Sequence, residues 1–321
     1  MNTMRAAVCV RAGGPEVLEV RELPVPAVRD GWSLVRVEGT GLNRSELRTR
    51  QGHSPSVRFP RVLGIECVGV VAASTDPRLP EGTTVAAVMG EMGRAFDGGY
   101  AEYALLPNPL LMPVTTSLPS DVLAALPETY LTARGALDAL GIGPGRTGRL
   151  LIRGGTSSVG LAAASIAAGH GLEVAATTRR PAKAPALTGH VLIDDGGPLT
   201  GLAELWPEGP DWVLDLVGAR TAVDSLRLVR RGGTVCVAGS LSGWIVPDFE
   251  PIAKIPSGTR LTAFHSDDLK GSTALLQRII GEVEAGTYRP NIDRVFPLAE
   301  IAAAHRYMEE DRAAGKLVVL P

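Results

Sequence analysis

The sequence predicts an α/β protein with one β-rich domain and one domain built on a doubly wound parallel sheet. Its 321 residues, 45% of them hydrophobic, suffice for about two domains with sizeable cores. Short branched or alternating apolar runs fill the first part of the chain, with Gly, Pro, Asp and Asn between them. From Leu150 onwards, near-continuous apolar strands alternate with helices, which is typical of a parallel sheet covered on both faces.

The strands of the first part follow one another closely, which favours a barrel or a folded-over sheet over strand–helix–strand units. Their runs are EVLEVRELPVP, WSLVRVEGTGL, VLGIECVGVVAAS, TTVAAVMG and YAEYALLP. A helical pattern with apolar positions at Leu126, Leu131 and Leu137 ends this part.

The second part contains six predicted strands, LLI, EVAATT, HVLID, DWVLDLVG, TVCVAGS and RLTAFHS. The helices between them include SVGLAAASIAAGHG and TAVDSLRLV. Two further helices, GSTALLQRIIGEVEAG and AEIAAAHRYMEEDRAAG, precede a final strand, KLVVL.

Composition argues against several classes of function. The formal net charge is −2 and the basic residues are scattered, whereas nucleic-acid-binding domains usually carry a strong basic excess. We find no apolar run long enough for a membrane span or a signal peptide. Cys9, Cys67 and Cys236 each lie in a strand-like run, so we expect small buried side chains in a protein of the reducing cytoplasm.

The stretch GGTSSVG follows the first strand of the sheet and resembles the dinucleotide-binding turn of a Rossmann unit. Ser157 stands where the fingerprint has its central glycine, and its hydroxyl can either cap the helix or bind a phosphate oxygen. The alternative is an ordinary strand–helix turn. We predict that the nucleotide contacts the turn residues Gly154, Thr156, Ser157, Ser158, Val159 and Gly160.

The end of the second strand, AATTRRPAK, predicts NADPH as the cofactor. NAD sites usually place an acid there, about 20 residues beyond the turn, but Glu173 begins the strand instead of ending it. An arginine fork suits a 2′-phosphate, although a solvated basic loop is the alternative. The predicted contacts in this segment are Thr178, Arg179, Arg180 and Lys183.

Ligands of such sheets bind outside the carboxyl ends of the strands. Val217 and Gly218 follow the fourth strand, so we expect them to line the path of the cofactor. Gly239, Ser240 and Leu241 follow the fifth strand and should approach the nicotinamide ribose.

These features resemble the medium-chain dehydrogenase/reductases over essentially the whole chain, most of all their zinc-independent quinone oxidoreductase branch. The resemblance implies a GroES-like β domain of residues 1–124 and 267–321 and a Rossmann domain of residues 125–266. The matching segments occur in the expected order: GGPEVLEV, GLNRSELRTRQG, PRVLGIECVGVV, DGGYAEY, LTARGAL, RGGTSSVGLAAA, RGGTVCVAGS and GKLVVL.

The resemblance also predicts that no zinc is bound. Zinc-using relatives place a cysteine at Asn43, a histidine at Ile65 and a third ligand near Glu128. The segment MGEMGRAFDGGY lacks the four cysteines of their structural zinc lobe, and no two of the five histidines share metal-ligand spacing. Glu66 is interpreted as a buried acid satisfied by local donors.

By the same resemblance, Asn43 and Thr132 lie beside the nicotinamide and the substrate, where Asn43 can donate its amide N–H to a substrate oxygen. Asn43 can instead be a turn residue, and Thr132 can simply line the helix between the domains. Tyr130 is a candidate proton donor, although it points to a different helix face from Thr132. Lys316 is either a cofactor contact or an exposed lysine before an edge strand.

Two positions of the predicted substrate pocket depart from the family. Quinone reductases of this group often have tyrosines where this chain has Arg48 and Ser54. Arg48 and Arg50 can bind an anionic substrate or be solvated loop arginines.

The leading hypothesis is therefore a cytoplasmic, zinc-independent NADPH-dependent reductase of quinones or α,β-unsaturated carbonyl compounds. The alternative is an NADPH-binding sensor or structural protein with little turnover. We expect a small electrophilic molecule as substrate and neither nucleic acid nor a membrane as partner. We also expect a homodimer formed through the edge strand RLTAFHS.

Overall fold

The computed structural model describes residues 2–243, 245–269 and 271–321. Its strands, in chain order, are β1 Thr3–Cys9, β2 Leu18–Pro24, β3 Trp32–Leu42, β4 Arg61–Val62, β5 Glu66–Ser74, β6 Thr84–Val88, β7 Tyr103–Pro107, β8 Leu111–Pro113, β9 Arg149–Arg153, β10 Glu173–Thr178, β11 His190–Ile193, β12 Trp212–Asp215, β13 Thr234–Val237, β14 Arg260–Ala263, β15 Ile292–Pro297 and β16 Lys316–Leu320.

The sequence predicts α-helices where apolar residues recur at helical spacing, and the longer helices of the structure lie in these segments. They are α1 Arg44–Arg50, α2 Ser120–Ala124, α3 Pro127–Ala139, α4 Ser158–Gly169, α5 Thr200–Leu205, α6 Ala222–Leu228, α7 Pro251–Lys254, α8 Thr273–Glu284 and α9 Ile301–Glu309.

The chain divides into two compact units. Unit 1 comprises Met1–Leu131, Asp267–Gly286 and Ile292–Pro321, and unit 2 comprises Thr132–Ser266 and Thr287–Asn291. The expected first boundary, between residues 124 and 125, differs from this division because α3 is one continuous helix and its first residues belong to unit 1. The apolar pattern marks where a helix starts but not which unit its first turn joins.

Unit 1 is the predicted β-rich domain. Within its described residues one sheet has the order β15-β16-β3-β5-β6-β8, with β7 also paired to β3, and a second has the order β2-β1-β4. The long strand β3 pairs with β5 and β7 along its first part and with β16 through Thr40–Leu42 at its end. The ends of β3 and the starts of β5 and β16 are therefore neighbours, and the candidate site lies there.

Unit 2 is the predicted Rossmann domain. Its described strands form one parallel sheet in the order β11-β10-β9-β12-β13-β14. Leu150, Leu151 and Ile152 of the central strand β9 are fully buried, as expected for a sheet covered on both faces. The order reverses between β9 and β12, and the carboxyl ends of these strands form the switch point where ligands of such sheets bind. The predicted fold class is thus confirmed.

The predicted burial of the three cysteines is also confirmed, and burial raises the pKa of Cys9 to about 11 and of Cys67 and Cys236 to about 12. Strand β14 lies at an edge of the sheet, as expected for RLTAFHS. No helix formed by the described residues has the length and apolar character needed to cross a bilayer.

Candidate functional site

The turn between β9 and α4 has the tight geometry that its glycines predict. Gly154 adopts a φ of 76°, and its N–H donates to Thr177 Oγ1 at 3.1 Å. A Cβ atom on Gly160 would lie 2.7 Å from the carbonyl oxygens of Gly154 and Gly155. The first turn of α4 therefore packs directly on the backbone of the loop, which only glycine permits at position 160.

Ser157 caps α4, so the capping alternative is confirmed for its hydroxyl. Its φ of −72° and ψ of 158° are ordinary for any residue, and the position has no need for glycine. Ser157 Oγ accepts from Gly160 N at 3.1 Å and donates to Gly154 O at 2.7 Å. The half-buried residues Thr156, Ser158 and Val159 lie at the N-terminal end of a twelve-residue helix, where free N–H groups and the dipole favour an anion.

The loops after β9, β12 and β13 meet at the carboxyl edge of the sheet. A Cβ on Gly154 would lie 3.5 Å from Val217 Cγ2 and 3.7 Å from Leu241 Cδ1. A Cβ on Gly218 would lie 2.6 Å from Gly239 O and 3.1 Å from Ser240 Cα. The structure thus brings together the residues that the sequence assigned to the cofactor from three separate segments.

A buried acid that sequence reasoning missed shapes one of these loops. Asp215, at the end of β12, has no exposed surface. Its Oδ1 accepts from Val217 N and Gly218 N, both at 2.9 Å, and from Thr221 Oγ1 at 2.8 Å, while Oδ2 accepts from Ser225 Oγ at 2.6 Å. An aspartate ending an apolar strand, as in WVLD, was the available signal.

The end of β10 carries the predicted basic segment. Thr178 is buried, and its Oγ1 accepts from Arg180 N at 3.3 Å, so the strand turns sharply into the basic residues. Arg179 and Arg180 are exposed and Lys183 is half-buried. Glu173 begins the strand, as expected, and accepts a hydrogen bond from Trp206 Nε1 at 3.0 Å.

A second missed acid, Asp194, lies beside this segment and is neutralised by Arg153. Asp194 N donates to Thr178 O at 2.9 Å, while its carboxylate accepts from Nη2 of the buried Arg153 at 2.8 Å. Arg153 Nη1 also donates to Asp224 Oδ2 at 2.5 Å. Burial alone would lower the pKa of Arg153, but Asp194 and Asp224 raise it, so the guanidinium stays charged.

In unit 1, Asn43 is the N-cap of α1 and forms a capping box with Glu46. Asn43 N donates to Glu46 Oε2, and Ile65 N donates to Glu46 Oε1, both at 3.0 Å. Burial, followed by the charge of Glu66, raises the pKa of Glu46 to about 7 despite the bond from Ile65. Glu46 was missed, although the spacing of Asn43 and Glu46 in NRSE is the sequence signal of a capping box.

The side chains of Asn43, Glu66 and Lys316 form one hydrogen-bonded cluster, here called the amide cluster. Lys316 Nζ donates to Asn43 Oδ1 at 2.6 Å and to Glu66 Oε1 at 2.7 Å. Asn43 Nδ2 donates to Glu66 Oε1 at 2.8 Å. Glu66 Oε2 accepts from Glu128 N, in the first turn of α3, at 2.8 Å. The interpretation of Glu66 as a buried acid satisfied by local donors is confirmed.

Lys316 is 1% exposed, and its strand β16 is paired on both sides, by β15 and β3. The alternative of an exposed lysine before an edge strand is therefore wrong. It failed because the sequence does not reveal that the final strand is inserted between two others. The cofactor contact of Lys316 stays a prediction, whereas the partners that the structure gives it are Asn43 and Glu66.

Two of the three positions at which the resemblance expects zinc ligands, Asn43 and Ile65, do not fit zinc. Ile65 offers no ligand atom, and the oxygens of Asn43 and Glu66 already face the ammonium group of Lys316. A second cation there would be repelled by that charge. Across the described parts of the chain, no group of three or more His, Cys, Asp or Glu side chains is arranged to hold a metal ion.

The remaining predicted residues lie on helix α3 and on or just after helix α1. Tyr130 is buried on the unit 1 part of α3, and Thr132 is buried on its unit 2 part. Their catalytic roles stay predictions. Arg48 is half-buried on α1, and Ser54 Oγ lies 2.7 Å from Thr49 Oγ1.

Arg50 was expected either to bind an anionic substrate or to be a solvated loop residue, and the structure shows neither. It lies on α1 instead of a loop, and its side chain has no exposed surface. Its Nη2 forms an ion pair with Glu309 Oε1 at 2.8 Å. Arg50 is therefore an internal residue of unit 1, because helix α1 turns this side chain inward.

Comparisons with known proteins agree with this fold. The family model described as alcohol dehydrogenase GroES-like domain matches residues 29–116, and that described as zinc-binding dehydrogenase matches residues 189–319. The Homo sapiens protein named quinone oxidoreductase is 28% identical over 334 residues, covering 99% of this chain and 98% of its own.

Two solved structures cover nearly the whole fold. An NAD-dependent alcohol dehydrogenase superposes with a TM-score of 0.86 at 29% identity, over 99% of this chain and 100% of that one. A mycobacterial protein complexed with NADPH gives a TM-score of 0.85 at 27% identity, with the same two coverages. The predicted family is thereby confirmed: the chain belongs to the medium-chain dehydrogenase/reductase superfamily and is an oxidoreductase similar to the quinone oxidoreductases.

Proposed function

We propose that this protein is an NADPH-dependent reductase of quinones or α,β-unsaturated carbonyl compounds that works without zinc. The amide cluster carries this proposal. An asparagine, an isoleucine and an internal ammonium group occupy the region where zinc-using relatives have their ligands. Alcohol–carbonyl interconversion would lack its Lewis acid, so an acceptor that needs less polarisation is favoured.

The basic end of β10 supports NADPH over NADH. Arg179 and Arg180 are exposed beyond the buried Thr178, and guanidinium groups suit a 2′-phosphate in charge and geometry. The carboxylate of Asp194, close to this segment, is paired with Arg153, so its charge is compensated. An NAD-dependent alcohol dehydrogenase and a protein complexed with NADPH have the same fold, so the choice of cofactor rests on these side chains.

When bound, the nicotinamide supplies a hydride to the acceptor. The chain would hold the cofactor with the N-terminal end of α4 and the loops after β12 and β13. It would orient the acceptor through a hydrogen bond from the Asn43 amide to a carbonyl or quinone oxygen, which gains negative charge as the hydride arrives.

The test is anaerobic oxidation of NADPH with quinones, enones and simple aldehydes offered separately, in buffer with and without a chelator. We expect turnover with quinones or enones that is insensitive to the chelator. Turnover that requires added zinc, or that is restricted to alcohols with NAD, would refute the proposal. Tight binding of NADPH without turnover of any acceptor would favour a sensor or structural protein instead.

We further propose a homodimer formed through β14. This strand is an edge of the parallel sheet, and Leu261 on it is exposed. An unprotected edge with an exposed apolar side chain favours pairing with a second chain. Leu261→Lys should shift the sedimentation profile from dimer to monomer, and a wild-type protein that sediments as a monomer would contradict the proposal.

A further inference from the structure

The side-chain amide of Asn43 has a single chemically consistent orientation. Lys316 can only donate hydrogen bonds, so the atom that faces its ammonium group at 2.6 Å must be the carbonyl oxygen Oδ1. An ionised Glu66 can only accept, so the atom that faces it at 2.8 Å must be the nitrogen Nδ2. Exchanging the two ends of the amide would oppose donor to donor and acceptor to acceptor.

This orientation leaves one N–H of Asn43 weakly engaged. The first N–H donates to Glu66 Oε1 at 2.8 Å. The other contacts of Nδ2 are long, 3.4 Å to Glu46 Oε1 and 3.5 Å to Gly41 O. Contacts of this length are weak compared with typical N–H···O bonds of about 2.9 Å. Asn43 is also only half-buried, unlike Glu66 and Lys316.

The framework around the amide is rigid because it joins several elements of unit 1. Glu66 begins β5 and is held by the first turn of α3, while Lys316 begins β16 beside the end of β3. A Cβ on Gly41 would lie 2.1 Å from Glu66 Oε1 and 2.3 Å from Lys316 Cε. Glycine at position 41 therefore leaves the space in which the ion pair sits.

We propose that Lys316 and Glu66 are positioning residues that hold the Asn43 amide in one orientation, with its second N–H directed to an oxygen atom of the electron acceptor. This inference rests on the proposed function and adds to it two residues that act through Asn43.

The kinetic test compares Lys316→Met with Glu309→Gln. Lys316→Met keeps an unbranched side chain of nearly the same length and removes its charge, while Glu309→Gln removes one charge from an ion pair elsewhere in unit 1. We expect kcat with a quinone or enone to fall about tenfold or more in Lys316→Met, because small misplacements of a contacting group have effects of that size. Both variants are measured at saturating NADPH, because Lys316 is also a predicted cofactor contact, and the kcat of Glu309→Gln should stay unchanged.

Lys316→Met leaves Glu66 as a buried carboxylate without its ion-pair partner, which can prevent folding. The double variant Lys316→Met/Glu66→Gln carries no lone charge and should fold, and the same fall in kcat is expected of it. A wild-type kcat in this double variant would overturn the proposal.

A second readout is independent of turnover. The chain has only four asparagines, Asn2, Asn43, Asn108 and Asn291, so 15N-asparagine labelling gives a simple NMR spectrum of side-chain amides. The Asn43 pair is assigned by its loss in Asn43→Asp. We expect this pair to shift and to exchange with solvent faster in the double variant, while the other three pairs stay in place.

The two readouts separate the two proposals. An Asn43 pair that is the same in the wild type and the double variant would overturn the positioning role, whatever the activity. A pair that shifts in a protein whose wild type reduces no acceptor would support the positioning role and refute the proposed function.

Discussion

The buried carboxylate of Asp215 should be among the most sensitive positions of unit 2. Asp215→Ala removes the acceptor of four hydrogen bonds and leaves the buried N–H groups of Val217 and Gly218 without an acceptor. Each unsatisfied buried donor costs about 1–3 kcal/mol, so we expect a loss of about 2–6 kcal/mol in the free energy of unfolding. The hydroxyls of Thr221 and Ser225 add little because they can rotate to other acceptors.

Asp215→Asn is compared with this variant because it keeps most of the hydrogen-bonding atoms and removes only the charge. Asparagine retains an oxygen for the two backbone donors and for Thr221, and its amide can donate to Ser225 Oγ. We expect a loss of only about 1 kcal/mol, the usual contribution of one hydrogen bond. Urea unfolding followed by circular dichroism measures both variants, and NADPH titration reports on the loop at Val217 and Gly218.

The matched control is Asp211→Ala. Asp211 precedes the same strand at its other end, where it accepts a hydrogen bond from Arg149 N at 2.8 Å and pairs with Arg230. Its loss should lower stability without changing the Kd for NADPH. Equal stability of Asp215→Ala and the wild type, or equal losses in the alanine and asparagine variants, would refute this account of the loop.

Three further outcomes are expected. Replacing Arg179 and Arg180 with alanine should raise the Kd for NADPH at least about tenfold, since a hydrogen bond to a charged group contributes about 1.5–3 kcal/mol. Fluorescence titration measures this Kd, and the same titration with NADH is the control. Equally weakened binding of both nucleotides would contradict the assignment. Ser157→Gly should bind NADPH with the affinity of the wild type. Its free energy of unfolding, measured in urea, should fall by only a few tenths of a kcal/mol, because glycine is a tolerated N-cap. A collapse of the affinity would show that the Ser157 hydroxyl contacts NADPH. The raised pKa of Glu46, about 7 against an ordinary 4.5, means that the folded chain holds this proton more tightly than the unfolded chain. The stability that this group contributes is therefore lost as the pH rises from about 4.5 to about 7. Over that range, the free energy of unfolding of Glu46→Gln should rise relative to that of the wild type by at most about 1.4 kcal/mol per pH unit. Parallel curves of stability against pH for the two proteins would contradict this.

The geometry of the turn after β9 and of the loops beside it was largely predictable because its signals are local. The glycines of GGTSSVG determine a turn whatever surrounds them, and the carboxyl ends of parallel strands converge by the geometry of the sheet. Gly154, Val217 and Leu241 meet for this reason. The partners of Arg153 and Asp215 were not predictable, since a polar residue in an apolar strand does not reveal which side chains it will meet.

The sequence by itself determined the two-domain α/β fold, the tight glycine turn after β9 and the basic end of the second strand, because periodicity and glycine placement act over a few residues. Only the tertiary structure decided the surroundings of Asn43. Lys316 and Glu66 are separated from it by 273 and 23 positions along the chain. They meet at its amide because β16 inserts beside β3 and because Gly41 leaves room for their ion pair. Such a contact depends on strand order, which no local pattern encodes.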